Sequence, residues 1–418
     1  MLGKYVRRFV RSPKLKKATD VFEQAFQDMK ETFPGSSSGK SLGKKCIKES
    51  LCSLELPFLR DEELRNDYIN HRGDLRVGLL LEDMDVFGGY CAYSHCAGMK
   101  EFPTIVTASM DQMDLHGELN AFQDLQLVGA VTYAGNSSMN VDIDVATIEP
   151  SPKIVLSASF TFVARDRDNN SLTVPKVDPS TEIEQSLLVR GKEKQVARKK
   201  SRLNSLTRQP PTAEELKILH SIFTERIKPA GGNLEEALTM KETRMQTTII
   251  AHPQMRNVHN KVFGGYLMRK AYELAWANAN LVTKGPVYFV ELDDIFFRAP
   301  VEVGSLVEFQ ARSSYSYNDE TGESSSTVSV SVHADVMDPL TRNKTRTNTF
   351  EFVFSTQDRS VSSDKRRAPE LLPVTYEEGI AYLMARRRHN IIGNDGKGGD
   401  KKGNPPGLLF DETAYTKG

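Results

Sequence analysis

The sequence predicts an α+β protein made of two tandem copies of one unit, each an antiparallel sheet wrapped around a central helix. Three observations carry that expectation. A glycine-led helical pattern occurs twice, as Gly78-Leu-Leu-Leu-Glu-Asp-Met-Asp85 and as Gly265-Tyr-Leu-Met-Arg-Lys-Ala-Tyr272. Each is followed by strictly alternating runs, Met139, Val141, Ile143 and Val145 against Asn140, Asp142 and Asp144, then Val328, Val330, Val332, Ala334 and Val336. Such period-two runs mark antiparallel strands with one face buried. Each copy closes on nearly the same strand, Phe160-Thr-Phe-Val163 and Phe350-Glu-Phe-Val353, and matched positions stay about 190 residues apart.

An early apolar helix followed by a meander of long strands is a unit whose sheet curls around its helix. The second helix is apolar on several sides (Leu267, Met268, Ala271, Tyr272, Leu274, Ala275, Trp276, Ala279), which predicts enclosure. One unit alone leaves a sheet edge and a helix face uncovered. Two in tandem bury these against each other, as a homodimer of single units would.

In chain order, residues 1–45 form a basic lead. No acid occurs before Asp20, while Lys4, Arg7, Arg8, Arg11, Lys14, Lys16 and Lys17 are basic. Leu2, Tyr5, Val6, Phe9 and Val10 share one helical face, and Pro13 ends the helix. This is the composition of a mitochondrial presequence, which places the protein in the mitochondrial matrix; the alternative is a solvated basic tail. Residues 46–177 are the first unit and 178–244 a helical connector. Its second helix opens at Thr212 with Glu215 three residues on, a capping box. The basic run from Lys192 to Arg208 lacks interleaved aromatics and reads as a solvated helix face, not a nucleic-acid site. Residues 245–390 form the second unit with a C-terminal helix, and the Gly/Lys-rich 391–418 are expected to be disordered.

Composition narrows the function classes. With 55 acids against 55 bases, no overall field marks a nucleic-acid partner. No run approaches the roughly 18 apolar residues of a spanning helix. Cys46, Cys52, Cys91 and Cys96 have no CxxC spacing, which argues against a zinc or redox motif and for a reducing compartment. A Gly-rich phosphate loop, paired metal ligands and a Ser-His-Asp triad are all missing from the sequence.

The run His252-Pro-Gln-Met-Arg-Asn-Val-His-Asn-Lys-Val-Phe-Gly-Gly-Tyr-Leu-Met268 resembles the entrance loop and helix of acyl-coenzyme A thioesterases. The longer match, through Trp276 and from Val290 to Gly304, is close to the mitochondrial double-hotdog branch of that family. The resemblance implies two tandem hotdog domains that hydrolyse acyl-coenzyme A to free fatty acid and coenzyme A. It implies no cofactor, coenzyme A being part of substrate and product, no metal, and a homo-oligomer of tandem units.

The chemistry of the motif follows from helix termini. Thioester hydrolysis builds negative charge on the carbonyl oxygen, and a helix N-terminus offers unpaired N–H groups and the positive end of its dipole. Gly264 and Gly265, and Gly78 in the first unit, are placed for such an oxyanion hole; the alternative is that they only permit tight packing. The resemblance puts a carboxylate seven residues beyond the last motif glycine. Counting from Gly78 reaches Asp85, whereas counting from Gly265 reaches Tyr272, with Glu273 beside it. Since sites of this kind draw the loop from one unit and the carboxylate from the other, Asp85 pairs with His259-Asn260, and Asp74 with Glu273. Asp85 is then the general base, or a nucleophile through an anhydride, and Asn260 orients the water or the carbonyl. His259, Arg256, Lys261 and Arg298, with Arg76, are the candidates around the coenzyme A entrance. On the same fold the alternatives are hydration of a hydroxyacyl thioester and a non-catalytic acyl-coenzyme A sensor.

Overall fold

The computed structural model describes residues 7–10, 43–111, 113–117, 119–148, 152–204, 206, 209–226, 237–256, 261–293, 295–318, 326–357 and 366–396. After the short strand β1 (Arg7–Val10), the first unit runs β2 (Cys52–Leu56), α1 (Glu62–Tyr68) and α2 (Val77–Cys96). It continues with β3 (Thr104–Met110), β4 (Met113–Leu115), β5 (Leu125–Ala134), β6 (Ser138–Thr147) and β7 (Lys153–Arg165). Helices α3 (Glu182–Asn204) and α4 (Ala213–Ser221) and strand β8 (Ala237–Thr239) lead to the second unit. That unit repeats the order as β9 (Met245–Ile250), α5 (Gly264–Val282), β10 (Tyr288–Leu292), β11 (Ile295–Phe296), β12 (Leu306–Tyr317), β13 (Thr327–Met337) and β14 (Lys344–Ser355). Strand β15 (Glu370–Leu372) and helix α6 (Tyr376–Gly396) close it.

Among the described residues, the strands of both units join in one sheet of 13, ordered β1-β2-β5-β6-β7-β4-β10-β14-β13-β12-β9, with β3 paired to β7 and β11. The seam is two-fold in character. Met113 faces Leu292 across β4 and β10, and Met110 faces Ile295 across β3 and β11. All four side chains have zero exposure, so the seam is part of the core.

The central helices α2 and α5 lie on the concave side and pack against each other. Of the twenty residues of α2, all but Leu79, Glu82 and Gly89 are buried, which requires cover on every side: sheet on one, α5 on the other. The crossing is antiparallel, because the start of each helix meets the middle of its partner. A Cβ on Gly265 would stand 2.8 Å from Glu82 Cα, and one on Gly78 would stand 3.2 Å from Tyr272 Cδ1. Residue 265 must therefore be glycine for the backbones to approach this closely.

The outer face of the sheet differs from the expectation. Alternation put Asn140, Asp142 and Asp144 toward solvent, yet they are buried. Helix α3, expected as a connector with a solvated basic face, lies over them. Lys194 Nζ reaches Asp142 Oδ1 at 3.1 Å, with Arg190 beside it, and Leu187 packs with Ile47, Val128 and Ala130. The pairing holds Asp142 below the usual carboxylate range although burial opposes it. Helix α6 covers the second unit in the same way, through Arg388 to Asp293 at 2.6 Å. Both covering helices start alike: Ser180 N–H donates to Glu184 and Val374 N–H to Glu378, while Thr181 and Thr375 cap the N–H of those same glutamates. The repeated unit thus includes its covering helix. Helix α4 carries the expected capping box between Thr212 and Glu215, and Arg387 of α6 anchors it through Glu215.

The N-terminal expectation also changes. Arg7–Val10 do not form a helix but a strand parallel to β2. The edge of β2 offers free backbone groups, and an extended segment satisfies them. The rest of residues 1–42 lies outside the described residues.

Candidate active site

Asp85 is delivered by the third turn of α2 to the first turn of α5 in the other unit. Its Oδ2 accepts the Gly265 N–H at 2.7 Å, and its Oδ1 accepts the Thr107 hydroxyl at 2.8 Å. The side chain is buried, and burial pushes its carboxyl up to about 6. The two hydrogen bonds oppose that rise, and the nearby Glu82 charge adds to it. Glu82 is itself paired with Arg269 of α5 at 2.9 Å. A carboxylate poised near neutrality and held by two donors at a helix N-terminus has the chemistry a general base needs.

Thr107 was not among the expected site residues. It is aimed by a bulge in β3, where the register slips between Thr107 and Ser109, a common device beside active sites. In the second unit the matching bulge in β10 falls between Phe289 and Glu291, which makes Phe289 the counterpart of Thr107.

The mirror position has no such acid. Tyr272 stands where Asp85 stands in the first unit and is buried in aromatic rings, with centroids 5.8 Å from Phe289, 5.7 Å from Phe352 and 5.9 Å from Phe354. The polar pair Asp85–Thr107 is answered by the aromatic pair Tyr272–Phe289. Glu273 points elsewhere, into ion pairs with Arg76, Arg269 and Lys270 at 3.4, 3.1 and 2.7 Å. Asp74 is held by Arg72 at 2.6 Å and by Asn70. Each of the two acids has its own partners, and no bond links them among the described residues.

The remaining expected residues fall as follows. His259 and Asn260 lie outside the described residues. The antiparallel bridges Arg256–Val262 and Ile69–Leu75 nonetheless close matching loops before α5 and α2. Gly264 and Gly265 open α5 as expected, but the Gly265 N–H, foreseen as an oxyanion donor, is engaged by Asp85. Gly78 packs against Tyr272 and Arg269, so in the first unit the glycine serves helix contact. Arg256 and Arg298 are exposed. Lys261 pairs with Glu302, and Arg76 reaches Asp67 O as well as Glu273. Among the described residues no group of three His, Cys, Asp or Glu is arranged to hold a metal ion.

One sheet wrapped around paired helices, with a buried acid of one helix facing the N-terminus of the other, is the arrangement of a hotdog-fold thioesterase. Comparison with known proteins agrees. A model of the thioesterase superfamily matches residues 73–151. "Acyl-coenzyme A thioesterase 9, mitochondrial" of Mus musculus is 33% identical over 363 residues, spanning 84% of this chain and 79% of its own. The Homo sapiens protein of the same name is 32% identical, spanning 85% of this chain and 81% of its own. A solved acyl-ACP thioesterase from Bacteroides thetaiotaomicron is 11% identical, with TM-score 0.39 over 73% of this chain and 98% of that one. The chain belongs to the acyl-coenzyme A thioesterase family.

Proposed function

We propose that this chain hydrolyses acyl-coenzyme A thioesters to free fatty acid and coenzyme A at a single composite site centred on Asp85. One observation carries the assignment: a buried carboxylate held at 2.7 Å by the first turn of the opposite unit's helix and at 2.8 Å by Thr107, with an aromatic cluster in its place at the mirror position. Asp85 takes a proton from a water, whose oxygen attacks the thioester carbonyl carbon. The carbon–sulfur bond breaks, and the departing sulfur receives the proton back from Asp85. Thr107 and the Gly265 N–H keep the carboxylate aimed. Negative charge on the carbonyl oxygen meets the Gly264 N–H at the positive end of α5, and Asn260 in the loop before it. The alternative role of Asp85, direct attack to give an anhydride, uses the same contacts. The reaction as proposed needs no cofactor or metal.

The mitochondrial names of its relatives, with the basic acid-free lead, support a mitochondrial enzyme, and the matrix is its proposed compartment. Coenzyme A phosphates would meet Arg256, Lys261 or Arg298. The tandem units are proposed to assemble further as a homo-oligomer. Thiol release from acyl-coenzyme A substrates of increasing chain length, measured on the purified full chain, tests the function. A chain that binds these thioesters and releases no thiol would be a sensor instead.

A further inference from the structure

Phe297 has no part in the chemistry above, yet it borders the same space. It follows β11, and its N–H donates to the Ala108 carbonyl at 3.0 Å, one residue beyond Thr107. The second unit thereby hands this ring across the seam to the first unit's acid. A Cβ placed on Gly264 would lie 3.0 Å from Phe297 Cζ and 3.3 Å from Asp85 Oδ2. The ring and the carboxylate therefore close tightly on residue 264, which leaves no room between them for even a methyl group and brings Phe297 directly beside the acid. The ring is partly buried against the core, so it is fixed on one side and accessible on the other. The antiparallel pairing of Ile295 and Phe296 with Met110 and Ser109 anchors the strand that carries it.

We infer that Phe297 is a specificity-determining residue: its ring walls the slot for the carbon beside the thioester carbonyl and excludes acyl groups branched there. The inference rests on the thioesterase reading of the Asp85 site. The reacting carbonyl must lie within reach of a water on Asp85 and of the first turn of α5, and the accessible side of the Phe297 ring borders that place. The thiol arm of coenzyme A is the same in every substrate, so a rigid wall at this point can sort substrates only by the acyl side. A methyl branch against a packed aromatic ring costs roughly tenfold or more in kcat/KM, the usual scale for one misplaced methyl in an apolar pocket.

The test compares two acyl-coenzyme A substrates of equal chain length on the full chain, one straight and one methyl-branched at the carbon beside the carbonyl. Their ratio of kcat/KM on one sample is independent of how much protein is folded, which keeps Phe297→Ala informative even if it is less stable. The wild type should favour the straight substrate. Phe297→Ala should raise the branched-to-straight ratio roughly tenfold or more, and Phe297→Leu should fall between. A ratio that stays within about twofold of wild type in both variants, or equal losses on both substrates, overturns the assignment. No thiol release from either substrate by the wild type would instead sink the thioesterase reading, and this inference with it.

Discussion

Burial lifts the Asp85 carboxyl to about 6, and the same shift acts on rate and on stability. In the proposed mechanism Asp85 acts only when ionised, so kcat/KM should fall as pH drops through about 6 and level off above it. Asp85→Asn should lower turnover roughly 10²–10⁴-fold with little change in substrate binding. Stability should move the other way. Because the folded-state value lies above the unfolded one, the folded protein holds the extra proton between about 4 and 6, and stability falls as pH rises through that window. At pH 8 Asp85→Asn should therefore unfold at a higher temperature than wild type, by on the order of 3 kcal/mol at most, with no gain near pH 4. Thr107→Val removes a donor that lowers the Asp85 value, so its acid limb should shift upward while turnover drops. An unchanged limb would mean the hydroxyl does not hold the base. Asp85 could be singled out as a candidate only through the family resemblance, by counting seven residues from Gly78. Thr107 could not, because strand hydroxyls are common and the count that finds an acid on a helix does not reach a bulged strand. Its counterpart Phe289 is off the offset of the sequence repeat, so the match emerges only from the paired bulges.

Helix contacts place the acid as firmly as its own hydrogen bonds do. Gly265→Ala puts a methyl 2.8 Å from Glu82 Cα and 2.9 Å from Asp85 Cβ. The neighbours are backbone and the root of a side chain, so α2 and α5 must separate. We expect a loss of about 2–4 kcal/mol in thermal or urea unfolding, and activity lost beyond what the remaining folded fraction explains. Gly78→Ala should be milder, since it meets side-chain atoms of Tyr272 and Arg269 at 3.2 and 3.4 Å. The two central helices and the long strands were legible, because their apolar periodicity is strong. The covering role of α3 was not. Its mean hydropathy is that of a solvated helix, and it docks by ion pairs with Asp142 and by the buried Leu187 in place of an apolar stripe. A pattern search for apolar faces passes over contacts made by charge.

At the scale of the molecule, the Asp85–Gly265 contact joins the two units, so the proposed site needs both. A fragment of residues 43–204 carries Asp85 and Thr107 but has Gly73 where the other loop has Asn260. A fragment of residues 237–396 carries that loop and α5 but has Tyr272 at the acid position. Neither should release thiol, alone or paired with its own copy, whereas the mixture should regain activity. Thiol release measured beside mass in solution tests this, and full turnover by either fragment would contradict a composite site. The tandem arrangement was readable from the repeat, but the continuous sheet was not. Its seam rests on β4 and β11, of three and two residues, too short to leave a periodic signal.

The exchange of Asp85–Thr107 for Tyr272–Phe289 has a consequence for heredity. In a two-fold homodimer one codon specifies the acid of both sites, so a change to tyrosine would silence the enzyme in a single step. Here the two positions are written at separate places in one gene. The two positions can therefore change independently: Tyr272 packs against Phe289, Phe352 and Phe354 while Asp85 keeps its carboxylate.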